Sequence, residues 1–239
     1  MSLPNINRTA SRAVAALLLV AAAWVPWHAH AGEGAVTIAV PAVDNPKAAG
    51  PAQTLVLSGG CFWGVQGVYE HVRGVRRVVA GYAGGARDTA HYEEVSSGRT
   101  GHAESVQISF DPAQVSVGDL LQVFFSVVQD PTQLNAQGPD SGSQYRSEIW
   151  YSDATQKQIA EAYIAQLNQS HVFRRPIVTR VDALPGFFPA EDYHQDFLVH
   201  HPRYPYIVYN DLPKIENFRR LFPAYYVGQP ILVSNVISP

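Results

Sequence analysis

The residue with the most chemistry to offer is Cys61, the only cysteine in the 239-residue sequence, framed as Ser58-Gly59-Gly60-Cys61-Phe62-Trp63-Gly64. A short apolar run, Thr54-Leu55-Val56-Leu57, precedes it and reads as a buried strand, while Val65, Val68, Tyr69 and Val72 follow at helical spacing. Cys61 therefore opens a helix directly after a strand. Unpaired backbone N–H groups and the positive end of the helix dipole converge at such a point and favour an anion, which for cysteine is the thiolate. The expectation is a poised sulfur nucleophile. The plainer alternative is a small buried hydrophobe, since free cysteine is among the most buried residue types.

Histidines are the next candidates. His91, His102, His194 and the pair His200-His201 show neither the H-E-x-x-H spacing nor a Cys/His quartet, so no metal is expected. One of them, His102 or His194, is available as the base of a Cys-His hydrolase in which Cys61 attacks a carbonyl. His102 is otherwise expected to pack or bond near Glu104. A third reading is a binding module that recognises oxidised or apolar peptides through the aromatic C-terminal region and uses Cys61 only for packing. Gly81 to Gly85 is glycine-rich but lacks the Rossmann spacing and the Walker lysine, so no nucleotide cofactor is implied.

The elements that must position Cys61 follow from pattern. Val75 to Tyr82 reads as a strand ending in the turn Ala83-Gly84-Gly85, and 103–110 alternates with strand period two. Between them Arg87 to Gly101 is a polar loop long enough to suggest function. Asp111-Pro112 ends the strand, and Ser116 caps a helix with Leu120, Leu121, Phe124, Phe125 and Val128 on its buried side. A second long loop spans Asp130 to Tyr145. Ser147 to Tyr151 reads as a strand, Asp153 caps a helix over 154–169, and Ile177 to Val181 reads as a further strand. Beyond Leu184 the chain is expected to be irregular, aromatic and proline-rich until a short helix over 212–221. The order through Tyr151 is β-α-β-β-α-β, with a helix and a strand appended, which predicts an α+β, two-layer sandwich with a ferredoxin-like core, one mixed sheet backed by helices and a long irregular tail.

The N-terminus carries Arg8 and Arg12, the apolar run Ala13 to Val25, and Ala29-His30-Ala31 before Gly32, the make-up of a secretory signal peptide over 1–31. The run is too short to span a bilayer, which needs about 20 residues. Residues 32–53, rich in Ala, Gly, Pro and Val, read as a flexible leader, and 54–239 as one domain. Cleavage would lower the 17 basic residues to 15 against 20 acidic, a net charge of −5. No Lys/Arg cluster remains to track a phosphate backbone, which argues against nucleic acid as a partner. The expected location is exported, periplasmic or secreted, where a single thiol is unusual because exported cysteines tend to pair in disulfides.

The turn at Cys61 resembles that of the A-type peptide methionine sulfoxide reductases, whose signature is the same Gly-Cys-Phe-Trp-Gly run. The likeness continues through Gly81-Tyr82-Ala83-Gly84-Gly85, Tyr92-Glu93-Glu94-Val95, Ser97-Gly98-Arg99-Thr100-Gly101-His102-Ala103-Glu104, Asp130-Pro131-Thr132-Gln133, Gln144-Tyr145-Arg146-Ser147 and Ala190-Glu191-Asp192-Tyr193-His194-Gln195. The resemblance implies reduction of the S epimer of methionine sulfoxide, free or in proteins, with Cys61 as nucleophile and Glu104 as the acid that protonates the sulfoxide oxygen. It further implies that the Tyr92 and Tyr145 hydroxyls bond that oxygen and that Asp140 orients the site through water, although its neighbours Pro139 and Ser141 depart from the family pattern. Phe62 and Trp63 would form the methyl pocket, with the Trp63 N–H facing the leaving oxygen. Glu104 needs apolar surroundings that raise its pKa.

Attack on a sulfoxide leaves a sulfenic acid, which only a second thiol returns to cysteine. Many relatives carry a resolving cysteine in the C-terminal tail, yet 196–239 has none, and Ser96 stands where related sequences often have another. The implied cycle uses one cysteine, no cofactor, and an external thiol, either small or carried by a thioredoxin-like protein.

Overall fold

The computed structural model describes Met1 and residues 34–233; the expected signal segment, beyond Met1, lies outside the described residues. Strand β1 (Gln53–Gly59) is buried from Leu55 onward, and helix α1 (Phe62–Glu70) follows after one tight turn. Gly60 makes that turn at φ +93°, and a Cβ there would come within 2.6 Å of Gln137, so only glycine fits. Val65, Val68, Tyr69 and Val72 are each 1% exposed or less, the apolar stripe that the spacing predicted.

Strand β2 (Val75–Ala83) leads into the first long loop, which holds the short helix α2 (Tyr92–Val95), and the chain returns in β3 (Ala103–Phe110). Helix α3 (Val117–Val123) starts at Ser116 with a reciprocal capping box to Asp119 and widens over Phe124–Val128. The second long loop contains a two-residue hairpin, β4 (Ala136–Gln137) and β5 (Asp140–Ser141). Strand β6 (Ser147–Tyr151) precedes α4 (Ala154–Ser170), where Asp153 accepts the Gln156 N–H at 2.8 Å as the cap.

Strand β7 (Arg180–Ala183) begins three residues later than the sequence suggests. Ile177 N–H donates to Asn168 Oδ1 and Val178 N–H to Pro131 O, which commits those residues to the α4 end and the second loop instead of the sheet. The stretch after Leu184 is also less irregular than expected. It contributes β8 (Phe187–Pro189) and α5 (Phe197–His200) before α6 (Leu212–Leu221).

Six strands form one sheet in the order β7-β6-β1-β3-β2-β8, antiparallel except for the β6–β7 pair. With helices packed on it, the fold is α+β with a mixed sheet. Alternation sorts its faces. Leu55, Leu57, Val106, Ile108 and Ile149 join α1, α3 and α4 in the main core, while Val56 and Trp150 form a small cluster with Ala83 and Ala103. Residues 34–52 have no regular secondary structure but run over this core: Ile38 is buried, Tyr163 OH donates to Ala39 O, Asp44 accepts the Gly118 N–H and Lys47 pairs with Asp119 at 2.7 Å. Among the described residues no helix is long and apolar enough to cross a membrane.

Candidate active site

Sheet register explains why distant residues meet. Leu57 is paired with Val106, so Gly59, two residues on, falls level with Glu104, while its other neighbour is Ser147 at the start of β6. The Cys61 turn thus sits between the beginnings of β3 and β6, with Tyr145 just ahead of the latter. One cavity of about 210 Å³ is lined by Cys61, Phe62, Trp63, Tyr92, Glu104, Asp140 and Tyr145, all seven residues singled out in the sequence, together with Tyr204 and Tyr206.

Glu104 is buried and accepts the Phe62 N–H at 3.0 Å. Burial pushes its pKa up to about 8; the Phe62 N–H pulls down against this, and the Asp140 and Asp211 carboxylates push up. At neutral pH this favours the protonated carboxyl form of Glu104. Asp140, carried on the β4–β5 hairpin, accepts a hydrogen bond from Tyr206 OH. Burial raises its pKa, opposed by that hydroxyl and by Lys214. Tyr92 and Tyr145 are held as neutral phenols, first by burial and then by the Glu104 charge.

Cys61 corrects the expectation drawn from the helix start. The backbone N–H of Trp63 does lower its pKa, but burial, then Glu104 and Asp211, and finally Asp140 outweigh it, and the thiol is pushed well above its ordinary value. This environment favours the neutral thiol over the thiolate. Trp63 brings a second correction, because its indole N–H donates to His194 Nδ1 at 3.1 Å and is unavailable to a departing oxygen. The ring stacks on Phe197 at 3.8 Å and meets Tyr204 and Tyr206 edge-on, forming an aromatic wall with Phe62 across the turn.

Neither histidine offered as a hydrolytic base lines the cavity. His102 accepts the Gly85 N–H through Nδ1, and its Nε2 bonds Ala86 O, so it pins the turn after β2. His194, accepting from Trp63, packs against Phe62 and Tyr92 at 5.0 and 4.5 Å. Among the described residues no group of three or more His, Cys, Asp or Glu side chains is placed to hold a metal ion.

The sequence profile of the family described as "Peptide methionine sulfoxide reductase" matches residues 53–225. The chain belongs to this family. It is 59% identical over 189 residues, 79% of the chain and 97% of the relative, to "Peptide methionine sulfoxide reductase MsrA 2" of Mesorhizobium japonicum. It is 51% identical over 185 residues, 76% of the chain and 86% of the relative, to the protein of the same description from Synechocystis. Among solved structures it resembles "Methionine sulfoxide reductase A of Corynebacterium diphtheriae", with TM-score 0.55 and 31% identity over 71% of this chain and 88% of that one. Reduced Mxr1 from Saccharomyces cerevisiae gives TM-score 0.58 and 28% identity over 64% and 87%. The enzyme is a peptide-methionine (S)-S-oxide reductase that returns methionine sulfoxide to methionine. That membership and the absence of an imidazole from the cavity retire the hydrolase reading.

Tyr204, Tyr206 and Asp211 were not found from sequence. They come from the segment ahead of α6, where no periodic pattern or recognised motif marks them.

Proposed function

We propose that this methionine sulfoxide reductase works through Cys61 and Glu104 in a one-cysteine cycle. The observation that carries it is the shared cavity, where the only sulfur of residues 34–233 lies beside a carboxyl group held protonated by burial. Glu104 donates its proton to the sulfoxide oxygen, assisted by the Tyr92 and Tyr145 hydroxyls, and Cys61 Sγ bonds to the now electrophilic sulfur. Oxygen passes to Sγ as the substrate S–O bond breaks. The Sγ–S bond breaks with its electrons returning to the substrate sulfur, methionine leaves, Cys61 becomes the sulfenic acid, and the thiol proton restores Glu104. Phe62 and the face of Trp63 seat the methyl group.

An external thiol, small or presented by a thioredoxin-like protein, then supplies the two electrons of reset. The composition of 1–31 supports export and processing after Ala31, and intact mass of secreted protein checks a start at Gly32. The order of the four central strands, β6-β1-β3-β2, supports a split β-α-β-β-α-β core.

First-turnover chemistry tests the cycle. Without reductant, one methionine per enzyme is expected, with Cys61 trapped by a sulfenate-specific reagent, and Cys61→Ser is expected to be inactive. Several turnovers without thiol, or turnover by Cys61→Ser, would overturn the reading.

A further inference from the structure

Cys61 borders two cavities. Besides the 210 Å³ cavity it lies on the wall of one of about 850 Å³, formed between the β4–β5 loop, the turn after α4 and the segment ahead of α6. Tyr206 stands between them and lines both. The volume falls within the range of about 300–1,000 Å³ typical of small-molecule sites.

The two sides of the sulfur differ in charge. The small cavity presents Glu104, held protonated, and Asp140, bonded to Tyr206, among aromatics, with no cationic side chain in its lining, which suits a neutral sulfoxide. The large cavity presents Arg174, Arg175 and Lys214 against a single lining carboxylate, Asp130. Burial pushes the Asp130 pKa up, but the hydrogen bonds it accepts from Thr132 and Gln133 and, last, the Arg175 charge outweigh this and hold it low. Arg175 in turn donates to Thr132 Oγ1 at 3.1 Å, and Lys214 sits 3.6 Å from Asp211. Three cationic side chains thus line the cavity against one lining carboxylate, with Asp211 set behind Lys214.

We infer that the larger cavity is the binding site of the thiol that resets Cys61, and that it selects a low-molecular-weight thiol bearing carboxylates. The inference rests on the one-cysteine cycle and names its second substrate class. Cys61 is only 8% exposed, so the reductant must reach it through a cavity, which favours a small molecule over a protein surface. Arg174 and Arg175 on the cavity wall attract the carboxylates of the incoming thiol and concentrate it beside Cys61. The thiol gives up its proton to solvent, the thiolate forms an S–S bond to Sγ of the sulfenic acid, and the S–O bond breaks as the hydroxyl takes a proton from Glu104 and leaves as water; solvent then returns the proton to Glu104. A second thiol attacks the outer sulfur of this mixed disulfide, releasing a small-molecule disulfide and restoring the Cys61 thiol.

Mercaptosuccinate and 2-mercaptoethanol, compared at saturating methionine sulfoxide, test the assignment. In the wild-type enzyme kcat/KM for the dicarboxylate thiol should exceed that for the neutral one, with a ratio that shrinks at high salt. Arg174→Gln/Arg175→Gln, both at exposed positions, should lower the ratio about tenfold through loss of charge attraction. A ratio that neither salt nor the double substitution changes overturns the inference, as does reset by a thioredoxin-type protein with no preference among small thiols. Methionine release in the first turnover, which consumes no thiol, separates the two levels. Its absence overturns the one-cysteine cycle itself, whereas its presence with an unchanged ratio removes only the thiol site.

Discussion

At the scale of single residues, Cys61 and Glu104 are set against each other: the sulfur must lose a proton and the carboxyl must keep one, and the same burial raises both pKa values. Because Glu104 titrates at about 8, its donor form is present below that pH and lost above it. The single-turnover rate of methionine formation is therefore expected to fall as pH rises through about 8. Glu104→Gln should be slower by roughly 10²-fold, the usual worth of a general acid, and should lack this alkaline limb. A limb that survives in the variant would assign it to another group. Cys61, Glu104 and the two tyrosines were legible because each sits in a motif. The direction of the Cys61 shift was not, because the dipole argument counts only its own helix. The opposing carboxylates come from β3, from the β4–β5 hairpin and from just ahead of α6, and sequence distance hides that they converge.

At the scale of elements, the β1–α1 turn is held from behind as well as in front. A Cβ on Gly64 would lie 2.1 Å from Asp211 Oδ1, so the first turn of α1 packs its backbone against the segment that starts α6 and supplies Tyr206. Gly64→Ala should therefore push Asp211 away. The expected result is a stability loss of about 1–3 kcal/mol from overpacking, together with slower methionine sulfoxide reduction because Tyr206 and Asp140 move with that segment. Urea unfolding and initial rates check this, and a variant of wild-type stability and activity would show that the contact yields freely. The elements legible in the sequence included those with a cap or a period: α3 behind Ser116, α4 behind Asp153, and β3 by alternation. The hairpin β4–β5 and strand β8 are two or three residues each, too short to show a period, and exist because partners across the sheet or hairpin hold them.

At the scale of the whole molecule, both ends of the described chain fold back onto the domain. The C-terminal segment returns to the far end of α1, where Val227 N–H donates to His71 O, Ile231 N–H to Glu70 O and Val233 N–H to Asp196 Oδ1. Beneath it Glu70 is fully buried, and burial first, then the neighbouring Asp196 carboxylate, raises its pKa from 4.5 to about 9. Between those values the unfolded chain has released the proton and the folded chain still holds it. The stability so conferred is complete below about 4.5 and is lost as pH rises through about 9. Glu104, at about 8, and Glu148, at about 7, act in the same direction. Asp119 works oppositely. Burial pushes its pKa up, but its bonds to Lys47, Ser116 and Tyr225 prevail and lower it, so its contribution is lost on acidification. Stability should therefore peak at mildly acidic pH and decline toward pH 9. Glu70→Gln, which keeps the shape and removes the ionisation, should flatten that decline and make the variant more stable than wild type at the alkaline end. Urea midpoints across this pH range measure it. An equally steep decline in the variant would mean that the alkaline loss arises elsewhere than at the α1 terminus.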